Sequence, residues 1–494
     1  MIGGAFAAPW KPSAAEWPGR LLSPTTLAFL ASLLLSLVAI SGEVLVGRDG
    51  TLYLHVAQQF LAHGPRAAFE IYAWPWFAIL LAGTHWLVGL PLELAAYLWG
   101  ALFMAGSCAL LVSLTRKALP GSGYWACLVV LSVPAFNQFR DDIIREFGFW
   151  FFSILALSLI LRWFERGGWL RAALVQLAIA GAALFRLEAV MLFAVPGLCL
   201  LGDLRSRQGW LRLLQINLLP LAAVLTSVLL LLSGDGISQP RIAYSVGLLN
   251  PHQLWVRFDL MASRFADAAL NRSSGEDARK IVFFGLSGTV LAKFITLSGP
   301  FALPLLHRGS WPAVAEYWHK LRPLAWTWLL YFCILLVFFV QERFVNSRYV
   351  SFLHWLAVPL LTIGSMRFAG HFPRLSRALV VVALAVMLHN VLSFGARKTH
   401  FLEASAWLSE HTLASDAIYY DDPRIAYHAG RGFPMVGPAR EQLLLGEQSQ
   451  AFRYFVMQGK ADDPALQQWM TQQHKRVLSQ FANRKGSTVL IIGD

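Results

Sequence analysis

Unbroken apolar runs, not alternation, dominate the hydrophobic pattern of the chain. Twelve stand out, at 25–46, 74–90, 92–115, 122–139, 146–163, 169–185, 187–203, 212–233, 281–306, 323–341, 349–366 and 376–395. An α-helix needs about 20 apolar residues to cross the hydrocarbon core of a bilayer, and most of these runs approach that length. Residues 50–64 read differently: Leu52, Val56, Gln59 and Phe60 follow helical spacing, His55, Gln58 and His63 form a polar side, and Gly64 supplies a stop. From residue 397 onward polarity becomes ordinary for a soluble domain. There the pattern predicts a helix over 402–411, a strand over 416–420, a short helix near 424–429 and a last strand in STVLIIGD.

Loop charge decides which runs cross. With the N-terminal segment 1–24 (Lys11, Arg20) on the cytoplasmic side and all twelve runs crossing, most basic clusters fall outside. That arrangement breaks the positive-inside rule at almost every loop. If 74–90 does not cross, Arg116 and Lys117, the Arg162–Arg171 group, the Arg205–Arg212 group, Arg308, Lys320, Arg322 and the Arg367–Arg377 group all turn cytoplasmic. The second arrangement is the expectation. It predicts an all-α polytopic membrane protein with about eleven transmembrane helices over 25–396. Juxtamembrane helices occupy the first outer loop (47–91), a long outer loop covers 234–280, and a small α/β appendage at 397–494 lies outside.

Composition agrees. The chain is 56% hydrophobic and 14% charged, against about 25% charged for a soluble domain, so lipid must cover much of it. The net charge of +13 would suggest nucleic acid in a soluble protein. Here it is topological, because the cations sit in loops between apolar runs, and no nucleic-acid partner is expected. Cys108, Cys127, Cys199 and Cys333 lie far apart inside apolar runs and read as small buried residues. No signal-peptide cleavage site follows the first run, which reads as a retained anchor.

Candidate chemistry concentrates in the outer loops. Asp49 lies in Gly-Arg-Asp-Gly where the first run ends, a setting that a turn alone would explain. Asp141, Asp142 and Glu146 open the 146–163 run with Arg140 and Arg145 beside them. Dipole capping accounts for one of these carboxylates, not three. Asp142 and Glu146 are four residues apart, as are Asp141 and Arg145, the spacing of neighbours on one helix face. Arg186 and Glu188 occupy the turn between two short runs, where a simple ion pair would also serve. Arg348 and Tyr349 enter the next-to-last run. A guanidinium suits a phosphate because its planar fork donates two parallel hydrogen bonds. The histidines show no metal-ligand spacing, and no phosphate loop or nucleophile elbow is present.

The order of these features carries a resemblance: a first span, then Arg48-Asp49-Gly50 with Tyr53, an amphipathic helix, Trp74-Pro75, the Arg140–Glu146 run, the 181–188 turn and the late Ser347-Arg348-Tyr349. Over about 25–396 the chain resembles the GT-C superfamily of polytopic glycosyltransferases. It most resembles the branch of dolichyl-phosphate-mannose–protein mannosyltransferases (glycosyltransferase family 39) and the bacterial aminoarabinose transferases. The resemblance implies a hexosyl- or pentosyltransferase that takes its sugar from a polyprenyl-phosphate donor. The acceptor would be a lipid, glycan or protein. By it, Asp49 is the general base or acceptor-orienting carboxylate, Glu146 with Asp142 is the second acidic position, and Arg348 holds the donor phosphate. Tyr349, Arg145, Arg186 and Tyr53 are the other expected substrate-binding residues. The chain departs from many relatives in reading Asp-Gly rather than Asp-Glu in the first loop. No cofactor is demanded, although two carboxylate sites could hold a divalent cation. The expected setting is a bacterial inner membrane, crossed many times, with site and C-terminus extracytoplasmic. The rival readings are a transporter or lipid flippase, and a non-catalytic scaffold.

Overall fold

The computed structural model describes residues 22–203, 205–232, 240–392, 397–434, 437–446 and 448–494. Lys11 and Arg20 therefore lie outside the described residues. The first apolar run forms α1 (Pro24–Gly42), started by the Ser23 hydroxyl, which accepts from the Thr26 amide. Three short elements follow: α2 (Arg48–His63), α3 (Pro65–Ile71) and α4 (Trp76–Val88). Helix α2 is the expected amphipathic helix, and Gly64 ends it at φ +81°. Helix α4 has 13 residues, a length of about 20 Å at 1.5 Å per residue, too short for a core about 30 Å thick. It packs against α2 instead.

The bundle continues through α5 (Leu92–Ala118), α6 (Gly123–Ser132), α7 (Pro134–Asn137), α8 (Glu146–Arg166) and α9 (Trp169–Phe185). A 3-10 turn (Leu187–Phe193) leads into α10 (Ala194–Leu200). Then come α11 (Arg207–Leu232), α12 (Pro240–Leu248), α13 (Pro251–Ala269), α14 (Ala278–Leu297), α15 (Ala302–Leu306), α16 (Pro312–Lys320), α17 (Arg322–Glu342), α18 (Ser347–His371) and α19 (Pro373–His389). Among the described residues six helices are long and apolar enough to cross a membrane, and shorter apolar helices accompany them. Several expected continuous runs are broken. The 122–139 run divides at Pro134, which cannot donate to a helix it interrupts. The 187–203 run begins as 3-10 turns, and 281–306 ends in short pieces after Leu297. The expected 234–280 loop is largely helical, as α12 and α13, where it is described.

Glycines let the central helices approach closely. A Cβ at Gly148 of α8 would lie 2.3 Å from the Phe185 ring of α9, and one at Gly181 would lie 2.9 Å from Phe152. Small residues that admit large neighbours are the usual device of membrane helix packing. The bundle has a polarity of charge. Basic residues at the end of α5, the end of α8 and the α16–α17 junction (Lys117, Arg162 and Lys320) meet around one cleft. Arg367 near the end of α18 joins Glu316 of α16 at 3.0 Å. The acidic loops collect at the opposite end.

The C-terminal part contains α20 (Thr399–His411), β1 (Ile418–Tyr420), α21 (Pro423–His428), α22 (Arg440–Leu444), β2 (Tyr454–Gln458), α23 (Pro464–Gln472), β3 (Arg476–Ala482) and β4 (Thr488–Gly493). The strand order is β1-β2-β4-β3, with β1 and β2 parallel and the other pairs antiparallel. Successive residues of β2 and β4 serve opposite faces. Val456, Val489 and Ile491 pack with Phe401 and Leu408; Phe455, Leu490 and Ile492 pack with Leu466 and Trp469. Leu45, just before α2, belongs to the first of these cores. The Gln58 amide donates to the Tyr427 hydroxyl at 3.5 Å, and Gly432 abuts the His55 ring. This small domain therefore sits on the segment between α1 and α5.

Candidate active site

Four chain segments bring ionic groups together at one end of the bundle. Asp49 enters on the first turn of α2. Glu146 is the first residue of α8, where a carboxylate faces the positive end of the helix dipole. Arg186 follows α9 in extended conformation. Arg348 lies on the first turn of α18, whose N-cap Asn346 accepts from the Arg348 amide at 3.2 Å. That cap fixes where α18 begins and so where Arg348 projects.

Arg348 Nη1 contacts Asp49 Oδ2 at 2.7 Å, and its Nε lies 3.2 Å from Glu146 Oε1. The second contact is an ion pair without hydrogen-bond angles, since Nε is without a hydrogen-bond partner. Arg186 donates from Nη1 to the same Glu146 oxygen at 2.9 Å and from Nη2 to Glu188 at 2.8 Å. Its guanidinium also lies 4.7 Å from the centre of the Tyr349 ring. Glu146 is 2% exposed, and its Oε2 has no hydrogen-bond partner. A carboxylate shared by two guanidinium groups is a poor base, because both favour its charged form. It serves instead as a strut between two cations.

The remaining acids differ in character. The Asp49 side chain is 40% exposed, so it is reachable while held by Arg348. Asp142 lies in the turn before α8, with its Oδ1 3.2 Å from where a Cβ on Gly47 would be. Burial first, then the neighbouring Asp141, pushes the Asp142 carboxyl up to about 7. Burial also raises Asp141, with Glu43 adding to it.

Several expectations change at this level. Asp142 and Glu146 do not share a helix face, because α8 starts only at Glu146. Among the described residues Arg145 makes no ion pair with Asp141; it lies 5.7 Å from the centre of the Tyr72 ring. Arg140 lies in the 138–145 loop but is buried there: it is 2% exposed and donates to Asn137 Oδ1, the Ser32 carbonyl and hydroxyl, and the Ser36 hydroxyl, pinning the α7 turn to α1. Tyr53 lies in the core, its ring edge-on to Tyr72 and Phe77, and burial raises its phenol well above the usual value. Two nearby groups were not singled out by sequence. Tyr72 carries no signal beyond being aromatic. Lys293, which donates to the Val345 carbonyl at 3.0 Å, does: it is a lone cation inside an apolar run. Among the described residues no group of three His, Cys, Asp or Glu is placed to hold a metal ion.

Six apolar helices, shorter apolar helices and a four-stranded appendage define a polytopic membrane protein of GT-C-like fold. The same architecture is seen in the crystal structure of ArnT from Cupriavidus metallidurans in the apo state. The TM-score is 0.57 at 14% sequence identity, over 94% of this chain and 97% of that one. No protein-family model and no curated protein sequence matches the chain. What is shared with ArnT is the fold, C-terminal domain included.

Proposed function

We propose that the chain is a glycosyltransferase that moves a sugar from a polyprenyl-phosphate donor to an acceptor at the extracytoplasmic face of the membrane. The observation that carries this reading is the Asp49–Arg348–Glu146–Arg186 chain of ion pairs, assembled from four segments at one end of a GT-C-like bundle. The fold shared with ArnT supports it. The site-bearing end is extracytoplasmic because the basic clusters gather at the other end. A bacterial inner membrane is the corresponding location.

The chemistry follows from the geometry. The acceptor's nucleophilic atom attacks the anomeric carbon, forming a new bond as the bond to the donor phosphate oxygen breaks. The electron pair leaves with the polyprenyl phosphate. Arg348 and Arg186 stabilise that developing anion, the role that preorganised donors play best in a site of low dielectric. Glu146 holds both guanidiniums in place. Asp49 orients the acceptor, and Asp142 takes its proton, since a base works best when its pKa lies near the working pH. Tyr349, Arg145 and Tyr53 support the floor on which the donor rests. No divalent cation is needed for any of these steps.

The test is mass spectrometry of envelope lipids, glycans and proteins from cells with and without the gene, complemented by wild type, Asp49→Asn or Glu146→Gln. A sugar modification present only with wild type supports the reading. Identical profiles in all four strains would overturn it.

A further inference from the structure

The end of the bundle opposite the site holds a cleft of about 150 Å³ between α5, α8 and the α16–α17 junction. Its walls are mixed: Leu110, Leu114, Leu161 and Leu321 supply apolar surface, and Ser113 and Ser158 stand among them. Its rim is cationic. Lys117 is the penultimate residue of α5, Arg162 lies in the last turns of α8, and Lys320 ends α16. Three separate elements thus deliver one cation each to the rim.

The rim is only partly neutralised from within. Glu165 also lines the cleft, and Lys320 pairs with Glu316 at 2.9 Å, which Arg367 shares. Lys117 and Arg162 have no ion-pair partner among the described residues. The hydroxyl of Ser158 in the lining is buried without a hydrogen-bond partner, although a helical serine can bond to the carbonyl one turn back. A slot with leucines along its walls and two unpaired cations, Lys117 and Arg162, at its rim matches an amphiphile with a phosphate at one end.

We propose that this cleft binds one anionic glycerophospholipid of the leaflet opposite the active site. The phosphate meets Lys117 and Arg162, and the first part of an acyl chain lies along Leu110 and Leu161. Charge complementarity selects the anionic class, since a zwitterionic head group brings its own cation to a basic rim. Basic pockets between membrane helices recognise anionic lipids through this combination. A free phosphate would leave the leucine walls uncovered. The proposal is independent of the chemistry at the other end, because none of its residues contributes to the catalytic cluster.

Native mass spectrometry of the full chain in detergent tests this. Phosphatidylglycerol and phosphatidylcholine of identical acyl chains are titrated separately. Wild type is expected to retain phosphatidylglycerol about tenfold more strongly, consistent with a modest gain per basic residue near a head group. The Lys117→Gln/Arg162→Gln variant should lose that preference, and Arg166→Gln, at the same helix end but outside the cleft, should keep it. Ser113→Phe, which fills the cleft and leaves every charge in place, should lose it too. That variant and the wild-type comparison decide the matter should the double variant fail to fold. Equal retention of the two lipids by wild type would overturn the proposal. So would unchanged preference in the cleft variants, competition by glycerol phosphate alone, or displacement by undecaprenyl phosphate.

Discussion

At the residue scale, Arg348 is the joint of the site. It touches acids from two other segments, so its loss should uncouple them. Arg348→Ala is expected to lower kcat by about 10²–10³-fold, the usual effect of losing a preorganised donor. Arg348→Lys should recover little, because an ammonium cannot reproduce a fork spanning Asp49 and Glu146. Steady-state transfer with a purified donor measures both, and a lysine variant near wild type would refute the role. Asp142 supplies the pH dependence. Its carboxyl is raised to about 7, so the ionised base is present mainly above that value. Turnover should therefore rise as pH climbs through about 7 and level off above it. Asp142→Asn should give a low rate without that inflection. Glu146 does not contribute such an inflection in this scheme, as it acts by holding Arg186 and Arg348. Each of these residue types was legible as a candidate in the sequence. Their separate roles were not, because a role depends on exposure and on which cation stands beside each carboxylate.

At the element scale, the contact between α8 and α9 sets the site. Gly148 admits the Phe185 ring, and Arg186 follows directly. Gly148→Ala should therefore overpack the joint at a cost of about 1–3 kcal/mol. It should lower both melting temperature and turnover without touching a charged group. Loss of turnover with unchanged melting would indicate a different role for this glycine. The amphipathic α2 was visible from periodicity, and the end of α17 from where the 323–341 run stops. The break at Pro134 and the burial of Arg140 were not. Whether a loop arginine is exposed or buried depends on partners such as Ser32 and Ser36, more than a hundred residues earlier in the chain.

At the scale of the whole molecule, one segregation and one domain contact matter. Basic helix ends lie opposite the ionic site, which predicts opposite accessibility for exposed positions at the two ends. In a background with the four cysteines replaced, Arg66→Cys should react with an impermeant thiol reagent in intact cells. Arg166→Cys should react only after permeabilisation. Reversed labelling would place the site in the cytoplasm and remove the proposed function. The C-terminal domain covers the start of the first loop, with Leu45 built into its core beside Phe401 and Ile425. A chain ending at residue 396 should still insert, yet turn over more slowly, because the segment leading to Asp49 loses its packing. Protease protection and transfer assays on the same membranes separate those two effects.

Hydrophobic run length alone determined that this chain is polytopic; loop charge supplied the expectation that 74–90 does not cross, and the polar loops marked candidates for its chemistry. Those properties follow from the bilayer as solvent and are local in sequence. Tertiary structure decided which carboxylate is clamped, which is exposed and which is raised toward neutrality. It also decided that Tyr53 and Arg140 are buried, and that the C-terminal domain rests on the first loop. These depend on close packing between segments distant in the chain, and periodicity carries no record of that packing.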